Sequence, residues 1–127
     1  MNSDVMIFVR DVEKSSAWYQ NLFGASSAHG GSEFDLIVDG DRLLVMLHHR
    51  DADEHPAVSD PTEGTLGSGV LIYITVDDVD AVHRRAVDME ANVLDEPHIN
   101  ERARQIEFSL RDPDGYALTV CRPRSAK

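Results

Sequence analysis

The sequence predicts an α+β fold in which one β-α-β-β-β unit is written twice, and three observations carry that prediction. IFVRDVEKSSAWYQNLFGA at 7–25 runs parallel to ITVDDVDAVHRRAVDMEAN at 74–92, at an offset of 67 residues. Val9 then falls on Val76, Asp11 on Asp78, Val12 on Val79 and Leu22 on Met89. Each half continues into two apolar runs joined by a turn containing Asp-Gly, a hairpin pattern. Between them, RDADEHPAVSDPTEGTLGSG at 50–69 is rich in Pro, Gly, Ser and acids and reads as a linker. A repeat on this scale sets the topology before any element is assigned. One domain spanning 1–127 follows, with units at about 4–49 and 70–122.

Taken in order, each unit opens with a short apolar strand and an Asp (Asp11, Asp78) placed to cap a helix of about a dozen residues. In the first helix Val12, Trp18, Leu22 and Phe23 supply the apolar stripe and Gly24 is placed to end it. In the second, Val79, Val82, Ala86 and Met89 recur at steps of three, four and three. The hairpins are EFDLIV (33–38) with RLLVMLH (42–48), and RQIEFSL (104–110) with YALTVC (116–121).

Composition narrows the function classes. With 127 residues the chain can bury a core without disulfide or structural metal. No apolar run is long enough to span a bilayer, and MNSDVMIFVR does not resemble a signal peptide. A single cysteine, Cys121, fits a reducing cytoplasm. Twelve basic against twenty-three acidic residues, a formal charge of −11, disfavour nucleic acid and anionic lipid and favour cationic ligands or plain solubility.

Strand alternation assigns faces. Val5, Ile7 and Val9 oppose Asp4, Met6 and Phe8; Leu43, Val45 and Leu47 oppose Leu44, Met46 and His48; Ile72, Ile74 and Val76 oppose Leu71, Tyr73 and Thr75. In the last hairpin Ile106, Phe108, Leu110, Tyr116, Leu118 and Val120 oppose Gln105, Glu107, Ser109, Ala117, Thr119 and Cys121. The aliphatic faces suit the underside of a helix. The mixed faces suit the lining of a ligand cavity.

At this point FVRDVEKSSAWYQNLFGA and IEFSLRDPDGYALTVC, set in duplicated βαβββ units, resemble the vicinal oxygen chelate superfamily. That group takes in glyoxalase I, fosfomycin- and bleomycin-resistance proteins and extradiol dioxygenases. The resemblance implies cupped mixed sheets around a ligand cavity and a homodimer. It also implies metal-ligand positions on the first and last strand of each half. These map to Asp4, Met46 (or Leu44), Leu71 and Thr119. A catalytic divalent ion needs about three His, carboxylate or thiolate ligands. Only Asp4 qualifies, so the inherited site reads as erased.

The run LHHRDADEH (47–55) does not restore it by spacing alone. His48 lies on the cavity face, near enough in sequence to Met46 to suggest an approach to Asp4. His49 alternates away, and His55 falls in the linker. His83 reads as solvent-facing on the second helix, and His98 as a surface loop residue. Cys121 reads as inert packing, with no basic neighbour to activate it. Glu107, a carboxylate on a partly apolar face, should hold its proton more tightly than usual and could move one. It could equally join Asp4, Asp35 and Tyr73 in an acidic pocket for a basic ligand, or sit in water.

The function expected is therefore metal-free binding of a small molecule, cationic or aromatic, as in proteins that sequester an antibiotic. Asp4, Phe8, Met46, His48, Leu71, Tyr73, Glu107 and Thr119 would line the site, with no cofactor. The alternative is a glyoxalase-type lyase or related enzyme, with Asp4 and His48 on a divalent metal and Glu107 or His48 as acid-base groups.

Overall fold

Two sheets, each with one helix, make up the computed structural model, which describes residues 3–50 and 70–123. Most of the linker, including His55, lies outside the described residues. The first unit runs β1 (Met6–Val9), α1 (Val12–Phe23), β2 (Ser26–Ser27), β3 (Phe34–Asp39) and β4 (Arg42–His49). The second runs β5 (Leu71–Thr75), α2 (Val79–Asp88), β6 (Asn92–Val93), β7 (His98–Asn100), β8 (Gln105–Arg111) and β9 (Ala117–Pro123). Sheet order is β1-β4-β3-β2 in one and β5-β9-β8-β6 in the other, with β7 also on β8. In each, the opening strand pairs parallel to the last strand, and the hairpins are antiparallel.

The predicted caps form. Asp11 accepts from Lys14 N at 3.0 Å and Asp78 from Ala81 N at 3.0 Å, satisfying one orphan amide at each helix start. Gly24 ends α1 at φ 66°, the left-handed conformation that a side chain disfavours. Its counterpart in the repeat is Ala91, and α2 ends instead through Glu90 at φ 56°.

The buried stripe of α1 is Val12, Ser15, Ser16, Tyr19 and Leu22 rather than one containing Trp18. Trp18 is half-buried with its ring edge on Tyr19 at 4.9 Å. Tyr19 is the better match to the helical period, seven residues from Val12. The core of the first unit is Ile7, Val9, Leu22, Ile37, Val45 and Leu47; that of the second is Ile74, Val82, Phe108, Leu110, Leu118 and Val120. Burying each such side chain contributes about 1.5–3 kcal/mol.

Three further expectations need correcting. His98 is on the surface but not in a loop, because His98–Asn100 pairs with β8. His83 is half-buried, its ring edge on Phe108 with centroids 5.0 Å apart. The β3–β4 ladder carries a bulge at Ile37/Val38, where Ile37 faces Val45 but Val38 faces Leu43, leaving Leu44 extra.

The Asp-Pro-Asp-Gly turn is divided in its service. Asp112 closes the turn itself, accepting from Tyr116 N at 2.9 Å. Residues 113–115 group with the first unit. There Asp114 accepts from Arg10 N at 3.1 Å, Arg10 Nε at 2.8 Å and Ser15 Oγ at 3.3 Å.

Candidate functional site

In each unit the sheet face away from the helix carries the candidate residues, and the strand registers put them in rows. In the first unit Phe8, His48 and Phe34 form one row and Met6, Met46 and Leu36 the next. In the second the matching rows are Thr75, Cys121, Glu107 and His98, then Tyr73, Thr119 and Ser109. The repeat therefore aligns Phe8 with Thr75, His48 with Cys121 and Phe34 with Glu107. One face is aromatic and apolar. The other is polar.

On the first face His48 is buried, with ring centroids 5.4 Å from Phe8 and 6.2 Å from Phe34. Its Nδ1 lies 3.0 Å from the His49 carbonyl, which can only accept. Nδ1 therefore carries the proton, and in the neutral ring the lone pair is on Nε2. Met6, Leu36 and Met46 extend the apolar wall, each half-buried.

Asp4 does not join them. It precedes β1, is exposed, and lines an open hollow of about 420 Å³ with Ser3, Asp41, Arg42 and Leu43. Because His48 pairs with Phe8, four residues along, it stands about 13 Å from Asp4 at about 3.3 Å per residue. The structure does not bring Asp4 and His48 together.

Asp35 is also off this face. It is buried on the helix side, where Ser16 Oγ donates at 2.5 Å, Ser27 Oγ at 2.7 Å and Gly30 N at 2.7 Å. The amides of Leu36 at 2.8 Å and His29 at 3.3 Å complete the shell. Burial alone would raise its pKa, but the donors from Ser16, Gly30, Ser27 and Leu36 outweigh it and hold the carboxyl below 3.8. It belongs to the fold, not to an acidic ligand pocket.

On the second face Leu71 and Tyr73 are exposed, at 49% and 56%, whereas Thr119 and Cys121 are buried. Ser109 Oγ and Thr119 Oγ1 are 2.9 Å apart, and Thr75 Oγ1 lies 3.8 Å from Cys121 Sγ. Glu107 is buried, and both Asn100 Nδ2 (3.1 Å) and Gln105 Nε2 (2.7 Å) donate to its Oε1. Phe34 and Asn100 are the residues that sequence reasoning missed. Alternation along β3 would have found Phe34, but Asn100 was hidden in an apparent loop.

The residues at the four expected metal-ligand positions do not fit a divalent ion. Leu71 cannot ligate, Met46 is a poor ligand for a hard ion, Thr119 is weak and already hydrogen-bonded, and Asp4 stands alone. Among the described residues no group of three or more His, Cys, Asp or Glu could hold a metal.

With the fold and these faces in view, the chain is one of the paired βαβββ proteins. It belongs to the Glyoxalase/Bleomycin resistance protein/Dioxygenase superfamily, whose family model matches residues 3–120. Among solved structures it is similar to a glyoxalase/bleomycin resistance protein/dioxygenase family enzyme from Burkholderia phytofirmans PsJN. That match has 23% identity and a TM-score of 0.78, covering 94% of this chain and 98% of that one. TioX from Micromonospora sp. ML1 matches at 18% identity and TM-score 0.72, covering 100% and 99%. Lactoylglutathione lyase from Agrobacterium tumefaciens matches at 18% and 0.69, covering 96% and 92%. At these identities the likeness is one of fold. A sequence comparison with curated proteins finds no match.

Proposed function

We propose that the protein binds a small molecule on the open faces of its sheets without a metal ion and without changing a bond, as a sequestering protein does. One observation carries this reading: the four positions that would hold the superfamily's metal offer a single ligating carboxylate, Asp4, remote from His48. The aromatic nest of Phe8, His48 and Phe34, continued by Met46, supports it. Such a surface takes up an apolar or aromatic body by burial. A homodimer, a cytoplasmic location and a role in antibiotic resistance are part of the same proposal. Among the described residues no helix is long and apolar enough to cross a membrane.

The test is metal content of the purified, untagged protein, then thermal unfolding after chelation and re-addition of Zn²⁺, Ni²⁺, Mn²⁺ and Fe²⁺. We expect no stoichiometric ion and no shift. A native-state site at a hundred times its dissociation constant adds about 2.7 kcal/mol, which raises the midpoint by several degrees. A near-stoichiometric ion with such a shift replaces this reading with a glyoxalase-type lyase. His48→Ala should weaken ligand binding only by the loss of one ring of the nest, whereas the enzyme reading requires that it abolish turnover and metal binding.

A further inference from the structure

The polar face holds a buried carboxylate that no cation among the described residues neutralises. Glu107 is 8% exposed and lies on β8 between β9 and β7, inside the sheet and not on its edge. Both of its hydrogen bonds, from Asn100 and Gln105, end on Oε1. Among the described residues no donor reaches Oε2, and no Lys, Arg or His forms an ion pair with it. Oε2 is not sealed in, because no buried side-chain oxygen or nitrogen among these residues lacks a partner.

A carboxylate drawn out of water without a counter-charge burdens a fold, and two neutral amides orient it without cancelling its charge. Asn100 is itself held, its Oδ1 accepting from Ala103 N at 3.1 Å. Gln105 commits its side-chain amide to the same oxygen, Nε2 donating at 2.7 Å. The assembly is thus a held acceptor whose second oxygen is not sealed from solvent, preorganised for a donor from outside the chain.

We propose that Glu107 sets the ligand class: the ligand carries a protonated nitrogen, an ammonium or amidinium, that donates to Oε2. Its body lies along the adjoining row of Ser109, Thr119 and Tyr73. This rests on reading the protein as a small-molecule binder. Charge-assisted bonds of this kind are roughly twice as strong as neutral ones, and the net charge of −11 concentrates cations near the surface. The other titratable groups in the row are Cys121 and His98. The His98 Nδ1 sits 2.9 Å from Glu96 O and 3.8 Å from Asp95 Oδ2.

The experiment titrates the full chain, as wild type and Glu107→Gln, with benzamidine and its neutral and anionic analogues benzamide and benzoate, followed by amide NMR shifts. We expect benzamidine to saturate shifts in 105–109 and 117–121, at least about tenfold more tightly than benzamide, with no binding of benzoate. Glu107→Gln keeps an acceptor for both amides, so it should erase that preference while its melting midpoint stays level or rises. A lowered midpoint with the preference intact makes Glu107 structural and overturns the assignment. Equal binding of benzoate overturns it as well, yet leaves the binder reading standing. If no probe gives a saturable shift, the assignment fails, and the binder reading is judged separately by the metal and stability test above.

Discussion

Asp35 and Glu107 are both buried carboxylates, and they occupy equivalent strands of the two halves, on opposite faces. The ladders align Asp35 with Phe108 on the helix side, and Phe34 with Glu107 on the open side. The first half therefore puts its acid inside and its aromatic ring outside, and the second half does the reverse. The helices agree with the exchange. Ser16, which donates to Asp35, is matched at an offset of 67 by His83, whose ring edge meets Phe108. Asp35 has five donors spread over both oxygens, whereas Glu107 has two on one oxygen. The lesson is that burial alone does not mark a functional acid. What distinguishes the two is whether the chain itself meets the acid's full hydrogen-bonding demand.

The largest expected effect is at Asp35. Asp35→Ala strands the buried Ser16 hydroxyl and takes the shared acceptor from Ser27, His29 and Gly30, and should cost about 2–4 kcal/mol in urea unfolding. A loss below about 1 kcal/mol would break the contrast between the two acids.

Acid should act through the same residue. Its folded-state pKa lies below the ordinary 3.8, so its contribution is fully present above that value and is lost as pH falls through the lower folded one. Wild type should therefore lose urea midpoint more steeply than Asp35→Asn as pH drops below about 4. Parallel curves for the two proteins would remove Asp35 from the acid response.

A smaller loss is expected from His83→Ala, about 1 kcal/mol for the ring contact with Phe108. Smallest of all is Glu107→Leu. It removes an unneutralised charge and leaves two amides near the open face, and should change stability by about 1 kcal/mol or less. If Glu107→Leu costs as much as Asp35→Ala, both acids are structural and the comparison collapses.

Much of the fold was legible because its signals are local. The capping aspartates, Gly24, the Asp-Gly turns and, outside the β3–β4 bulge, the period-two alternation each act through neighbours in the chain, and each formed as expected. Residues whose placement depends on partners outside their own element were not legible. Asp35 alternates into the helix side, a place composition argues against, and is tolerable only because Ser16 and the 27–30 turn converge on it. Asp4 and His48 look close when strands are read as lists. The parallel pairing of β1 with β4, invisible in either strand alone, separates them. Asn100 went unread because β7 is three residues long and follows a proline, too little pattern to declare a strand. The Tyr19 and Trp18 exchange is a phase error of one residue on a helix.

The placement of 113–115 with the first unit also has a consequence for how the protein is made. The carboxylate that receives Arg10 and Ser15 is encoded after residues 69–112 of the second unit. At about 5–20 residues per second, translating 69–112 takes roughly 2–9 s. For that interval the emerging chain holds α1 without its acceptor. The first half is begun early on the ribosome, but it is finished only when the turn of the last hairpin has been synthesised.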